Sequence, residues 1–149
     1  MSESNTAITG EQDVSAAGRT GSRGIAHMIY RWALLVFLAA GVVQIFLAGL
    51  GAFKLVHGAD ESALDPHRTL GFAMGGIAAI ILILALIARP GARAIVGAVL
   101  LVLLTSFVQS LLVGLADNHV IFGALHAADG LLILAIPAYL YFWPGRRTA

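Results

Sequence analysis

The chain has 149 residues, of which 59% are hydrophobic and only 11% are charged, with a formal net charge of +1 and no cysteine. A soluble domain of this size cannot bury so much apolar surface, and the charged fraction is less than half the usual share. The small net charge gives no reason to expect a nucleic-acid partner. The absence of cysteine excludes disulfides, thiolate metal sites and covalent c-type haem. Composition therefore predicts an all-α integral membrane protein whose main partner is the lipid bilayer.

Along the chain, a polar segment rich in small residues comes first, and residues 1–28 are predicted to form a disordered cytoplasmic tail. A transmembrane domain is predicted at 29–144, followed by a short cytoplasmic tail at 145–149. Its apolar runs each have about the 20 residues needed to cross a hydrocarbon core of ~30 Å, and helices satisfy their own backbone groups in lipid. The four spans are predicted at about 30–53, 67–88, 94–115 and 121–143.

The distribution of basic residues predicts the orientation of these spans. Of the nine Lys and Arg residues, only Lys54 and Arg68 fall in the first loop region; the others flank the N-terminal, second-loop and C-terminal sides. The positive-inside rule therefore places both termini in the cytoplasm, with the protein in the plasma membrane. Short connections force neighbouring helices to be antiparallel, which favours an up-down-up-down four-helix bundle.

The two halves of the chain share a pattern, Gln-x4-Gly-Leu, then an outer loop, then His-x3-Gly. The matching residues are Gln44, Gly49, Leu50, His67 and Gly71 in the first half and Gln109, Gly114, Leu115, His126 and Gly130 in the second. Since each half contains two spans, the halves would be parallel repeats about an axis along the membrane normal. This symmetry places the two histidines at one depth near the outer end, on helices that lie diagonally opposite each other.

Two imidazoles that face each other across a bundle can ligate one metal from both sides, which favours a b-type haem between His67 and His126. Under this hypothesis, Gly71 and Gly130 let a flat macrocycle approach the helix backbones. Arg68 or Lys54 would lie near the propionates.

Other interpretations of the same polar residues stay open. Asp129 either accepts the second N–H of the His126 ring or acts as an isolated acid or part of a proton path. His57 and His119, one in each outer loop, could join the histidine pair in an outward-facing zinc or copper site. Gln44 and Gln109 are also interpreted as interhelical hydrogen-bonding residues.

Three segments resemble one half of heme A synthase: His67-Arg68 opening span two, Gln109 late in span three, and Leu125-His126 opening span four. That family has eight spans in two four-helix bundles, with ligand histidines at the outer ends of the even-numbered helices. The resemblance implies that the two histidines are a haem-ligand pair. The whole chain is also similar to an uncharacterised, small four-helix membrane family of actinobacterial type.

The departures from heme A synthase limit what this resemblance implies. The chain has four spans instead of eight, and it lacks the glutamate pair of the first span and the cysteine pair of the first loop. The synthase activity is therefore not expected, and the absence of a catalytic constellation favours a non-enzymatic protein. One alternative is a cofactor-free accessory or assembly subunit, whose partners would be other membrane proteins or a second copy of the chain. The other alternative is a small transporter.

Overall fold

A computed structural model describes the backbone of residues 3–143 and the side chains from residue 21 onward. All the regular structure in this part of the chain is helical. The elements are α1 (Glu3–Val56), a 3-10 turn (Glu61–Leu64), α2 (Asp65–Ala88), α3 (Ala92–Val102), a π-helical turn (Leu103–Val108), α4 (Gln109–Ala116) and α5 (Val120–Phe142). Because α3, the π-helical turn and α4 follow one another without a break, they form one continuous segment, called the third segment below.

Four of the described segments are long and apolar enough to cross a membrane. They are Gly21–Val56, Glu61–Ala88, Ala92–Ala116 and Val120–Phe142. Each overlaps one predicted span. The first begins earlier than the predicted residue 30, so that residues 21–28 are helical although the sequence assigned them to a tail. The predicted C-terminal tail at 145–149 lies outside the described residues.

Proline and glycine lie at the ends of the helices. Pro66 occupies the first turn of α2, where its missing N–H costs nothing. At the other end of α2, Arg89 adopts a left-handed conformation with φ 48°, and its N–H donates to the Ala85 carbonyl at 2.9 Å. Gly91 then has φ 126°, which L side chains rarely adopt. The short Arg89-Pro90-Gly91 turn thereby reverses the chain into α3.

The four membrane-capable segments pack in a cyclic order. Helix α1 contacts α2 and α5, and the third segment also contacts α2 and α5. Within the described residues, the backbones of α2 and α5 do not come within contact distance of each other. These two helices are therefore diagonal neighbours, and they are the helices that carry His67 and His126.

The two ends of this assembly are packed differently. The largest fully buried side chains are Leu34, Phe37, Ile81, Leu101 and Pro137. These residues lie in the half that contains the α2–α3 turn, here called the apolar end. The opposite half, where α1 and α4 end and α2 and α5 begin, is called the polar end. Among residues 44–73 and 109–130, which lie toward this end, only Gly51 is buried.

Glycines bring the helices close together in the apolar half. A methyl group at Gly41 of α1 would overlap the Leu134 side chain of α5, and one at Gly97 of α3 would lie 2.9 Å from Leu140 Cδ1. Leucines of α5 thus fill the space beside the glycines of the two neighbouring helices: Leu134 lies beside Gly41 of α1, and Leu140 lies beside Gly97 of α3. This close packing explains why the apolar end has a continuous core.

Candidate functional site

His67 and His126 lie near each other at the polar end. His67 is in the first turn of α2, and His126 is in the second turn of α5. Their ring centroids are 6.2 Å apart, and the ring planes are inclined at 70°. Both residues are half-buried. The structure thus brings together the two imidazoles that the sequence singled out, from helices that are not otherwise in contact.

Two hydrogen bonds join Gln44 of α1 to His67. The Gln44 side-chain amide donates from Nε2 to the His67 backbone carbonyl at 2.8 Å, and His67 Nδ1 lies 3.2 Å from the Gln44 backbone carbonyl. A carbonyl oxygen can only accept, so this contact requires the proton of the neutral ring on Nδ1. The lone pair of His67 is therefore on Nε2, which makes that atom the available metal ligand.

The second half of the chain repeats the first of these hydrogen bonds. Gln109 Nε2 of α4 donates to the His126 backbone carbonyl at 3.1 Å. The second bond has only an incomplete counterpart here: the His126 ring approaches the Gln109 backbone, but its Nδ1 forms no hydrogen bond of normal geometry. The two histidines therefore have similar backbone contacts, and the contact of the His67 ring is the better formed of the two.

The glycines one turn after each histidine provide space for these glutamines. A methyl group at Gly71 would lie 3.1 Å from Gln44 Nε2, and one at Gly130 would lie 3.7 Å from Gln109 Nε2. In a helix the N–H of residue i+4 also bonds to carbonyl i, so the His67 carbonyl is shared between the helix and Gln44. In the structure a glutamine amide lies against each of these two glycines, which the sequence predicts to let a macrocycle approach the helix backbones.

Asp129 is half-buried one turn after His126. The Gln109 side chain approaches its carboxyl group, whereas its Oδ2 atom is buried without a partner. The hydrogen bond expected between this carboxylate and the His126 ring is not formed. Gln44 Oε1 is also buried and unpaired. Three unpaired polar atoms thus lie beside the histidine pair, and each unpaired buried group requires an explanation.

Arg68 points toward the acidic start of α2 and away from the histidines' ring contact. Its guanidinium lies 3.1 Å from Asp65 Oδ1 and 3.8 Å from Glu61 Oε2. These ion pairs are exposed, and exposed pairs contribute only about 0–1 kcal/mol. The guanidinium therefore lies at the surface of the polar end, and another anion could replace its two carboxylate partners at little cost in free energy.

The two loop histidines are not part of this cluster. His57 Nδ1 contacts the Phe53 carbonyl at 2.8 Å, with its ring 4.3 Å from the Phe53 ring. His119 precedes α5 and is closest to the Phe122 ring, at 6.2 Å. Among residues 21–143, no three His, Asp or Glu residues are grouped as metal ligands. The alternative four-histidine site in the outer loops is therefore not assembled.

The π-helical turn was missed by the sequence analysis. It includes Thr105 and Ser106, immediately before Gln109. The Thr105 hydroxyl is buried without a partner, and the Ser106 hydroxyl lies 3.2 Å from the position of a methyl group at Gly75. A Thr-Ser pair within an apolar run is the only signal in the sequence. Such turns are frequent at functional sites, and this one sets the position of Gln109 on the third segment.

Fold and site together describe a helical protein with four membrane-capable segments and a histidine pair at one end. A family of unknown function (DUF6220) matches residues 44–117, just under half of the chain. The matched region begins at Gln44, includes His67 and Gln109, and ends before α5. No curated protein and no solved structure matches the chain. These comparisons assign no activity, so the function is inferred from the site.

Proposed function

We propose that this chain is a plasma-membrane protein that holds one b-type haem between His67 and His126. In this proposal the four segments form an up-down-up-down bundle of two parallel repeats, with both termini in the cytoplasm. The observation that carries the proposal is the 6.2 Å separation of the two imidazole rings. The predicted orientation puts this pair near the outer surface of the membrane.

The ring separation agrees with a metal ion bound by both histidines. An imidazole–metal bond is about 2 Å long, and each ring nitrogen lies about 1 Å from its ring centre, so two collinear ligands have centres about 6 Å apart. The Nδ1 contact to the Gln44 carbonyl leaves His67 Nε2 as a ligand. The other ring, that of His126, forms no hydrogen bond of normal geometry through Nδ1.

The loose packing of the polar end supports a bound group there. Almost none of its residues are buried, in contrast to the continuous core of the apolar end. The backbones of α2 and α5 are also too far apart for contact. A group inserted between these helices would extend the core toward the polar end.

Each residue around the pair then has a defined task. Gln44 and Gln109 fix the backbones that carry the two ligands, and the Asp129 carboxylate lies close enough to orient the His126 ring after a small movement. The Arg68 guanidinium can exchange its exposed ion pairs for a propionate. Haem with two imidazole ligands supplies one-electron transfer and no open coordination position, so electron transfer or haem handling is the activity inferred.

A metal ion without a porphyrin is the second candidate. It is favoured by the glutamine amides that lie against Gly71 and Gly130, since a macrocycle edge at either glycine would displace them. In that case the two imidazoles would be supplemented by water. Imidazole ligands suit zinc and copper.

Haem titration of protein purified from haem-depleted cells tests the proposal. We expect one equivalent of haem to bind, with a Soret band that His67→Ala and His126→Ala each abolish. His57→Ala is the matched control, because His57 lies outside the cluster, and it should bind haem normally. Titration without a Soret change in the unaltered protein would overturn the proposal. One equivalent of zinc or copper, lost in the same two variants, would then support the second candidate.

A further inference from the structure

A groove runs along the surface of the apolar end between α3 and α5. It has a volume of about 550 Å³ and is open to the surroundings. Gly97 and Leu140 both line it, at the point where the glycine allows the two helices to approach closely.

The walls of the groove are apolar and exposed. Val96 is 56% exposed and Leu100 is 45% exposed on α3, and Tyr139 is 48% exposed on α5. Val96 and Leu100 are separated by one helical turn, so they form a continuous apolar strip along the helix. An extended hydrocarbon chain fits such a strip, because it can follow the helix and fill the concave surface.

One end of the groove carries a positive charge. Arg93 lines it, in the first turn of α3, and its side chain is exposed. No carboxylate in the described part of the chain forms an ion pair with Arg93. The N-terminus of α3 has no side-chain cap, so its free backbone N–H groups add to the positive potential at this end. The groove is therefore complementary to a molecule with an anionic head and an apolar tail.

We propose that this groove binds one anionic phospholipid of the cytoplasmic leaflet. The phosphate would lie at Arg93, and one acyl chain would extend past Val96 and Leu100 toward the middle of the membrane. The positive-inside orientation puts Arg93 at the cytoplasmic surface, where basic pockets between membrane helices bind anionic head groups. This inference concerns the end of the protein opposite the histidine pair, so it does not depend on haem binding.

A second copy of the chain fits the groove less well than a lipid does. Copies inserted with the same orientation are related by an axis along the membrane normal, so residues at the same depth meet. A symmetric contact through this groove would bring two Arg93 side chains together without an acidic partner. An anionic lipid removes this repulsion.

Lipid titration of delipidated protein in neutral detergent, followed by native mass spectrometry, tests the proposal. The probes are phosphatidylglycerol and phosphatidylcholine with identical acyl chains. We expect one phosphatidylglycerol to bind at least fivefold more tightly than phosphatidylcholine. A fivefold preference corresponds to the contact of one basic side chain with an anionic head group, about 1 kcal/mol. Arg93→Ala should remove this selectivity, and Arg93→Lys should retain it. Arg23→Ala, which removes an exposed charge from the same predicted side, is the matched control and should bind like the unaltered protein.

A second variant tests the acyl-chain part of the groove. Ala135 is an exposed residue of its α5 wall, so Ala135→Phe should fill the groove without changing its charge. We expect this variant to lose high-affinity phosphatidylglycerol binding while its thermal unfolding is unchanged. Equal affinity for the two lipids, or unchanged selectivity in Arg93→Ala, would overturn the proposal. A dimer in lipid-free detergent that Ala135→Phe dissociates would also overturn it and assign the groove to a second copy.

Discussion

The two histidines differ in how their rings are held, although the sequence presents them as equivalents. His67 is fixed at Nδ1 by the Gln44 carbonyl, whereas His126 Nδ1 has no partner. The sequences around the two histidines also differ. Leu70 lies three residues after His67, whereas Asp129 lies three residues after His126. The second half of the chain thus has an acid one turn after its histidine where the first half has an apolar residue.

The side chain of Gln44 is expected to stabilise the start of α2. Gln44→Ala removes the donor to the His67 carbonyl but keeps the backbone carbonyl that contacts His67 Nδ1. We expect a loss of about 1 kcal/mol, the usual net contribution of one hydrogen bond, and a haem affinity reduced about fivefold. Thermal unfolding in detergent and haem titration measure the two effects.

Val43→Ala is the control for this prediction, because Val43 is an exposed neighbour on the same helix. It should leave haem affinity unchanged. Gln109→Ala should reproduce the Gln44→Ala effect in the second half of the chain. If neither glutamine variant alters unfolding or haem affinity, the side-chain hydrogen bonds do not position the ligands.

Sequence reasoning identified the residues of this cluster but not all of their contacts. A histidine or glutamine is rare in an apolar run, so its presence alone marks a residue that needs a partner. The choice of partner depends on helix rotation and on distances of a few tenths of an ångström, which composition and spacing do not determine. For this reason Gly71 was assigned to a cofactor when it is in contact with Gln44.

At the scale of helices, the spacing between a glutamine and the glycine it contacts differs between the halves. A methyl group would lie 3.1 Å from the amide nitrogen at Gly71 but 3.7 Å at Gly130, which is an ordinary contact distance. Both glycines lie within helices, so alanine brings a similar gain in helix propensity at each position. The comparison of the two substitutions therefore isolates the contact with the glutamine.

We expect Gly71→Ala to be less stable than Gly130→Ala, by roughly the 1 kcal/mol of one hydrogen bond. Thermal unfolding of both variants checks this order. In a double-mutant cycle, Gly71→Ala should lower the free energy of unfolding by less in a Gln44→Ala background. The reason is that the glutamine amide, which the new methyl group would contact, is then absent. Equal stability of the two glycine variants, or strict additivity in the cycle, would show that the glutamine contact has no energetic effect.

The helical elements themselves followed from the sequence to within a few residues, except at the start of α1. Long apolar runs and short turns such as Arg89-Pro90-Gly91 determine where helices begin and end. The π-helical turn at Leu103–Val108 was not predicted, because one additional residue in a helical turn leaves no mark on an apolar pattern. Its effect is large nonetheless, since it rotates everything after it in the third segment.

At the scale of the whole molecule, the distribution of basic residues predicts which end faces the cytoplasm. Reporter fusions at the C-terminus and within the first loop, residues 59–64, measure this directly. We expect a cytoplasmic signal from the C-terminal fusion and an external signal from the loop fusion. The reason is that only two of the nine basic residues lie on the side of the membrane that contains the first loop. Signals from the same side would contradict the four-span arrangement.

The two ends of the molecule also differ in packing and in composition. The apolar end has the continuous core, most of the basic residues and the groove, whereas the polar end has loose packing and the histidine pair. A rigid apolar end can hold α2 and α5 at a fixed separation while the polar end accepts a group between them.

The spin state of bound iron tests the central claim most directly, because it reports whether both imidazoles ligate one metal. Electron paramagnetic resonance of the oxidised, haem-loaded protein should show six-coordinate low-spin iron, the state given by two imidazole ligands. His67→Ala and His126→Ala should each lose the low-spin signal, whereas His119→Ala should keep it. High-spin, five-coordinate iron in the unaltered protein would contradict the account, as would a low-spin signal that persists in either of the two variants.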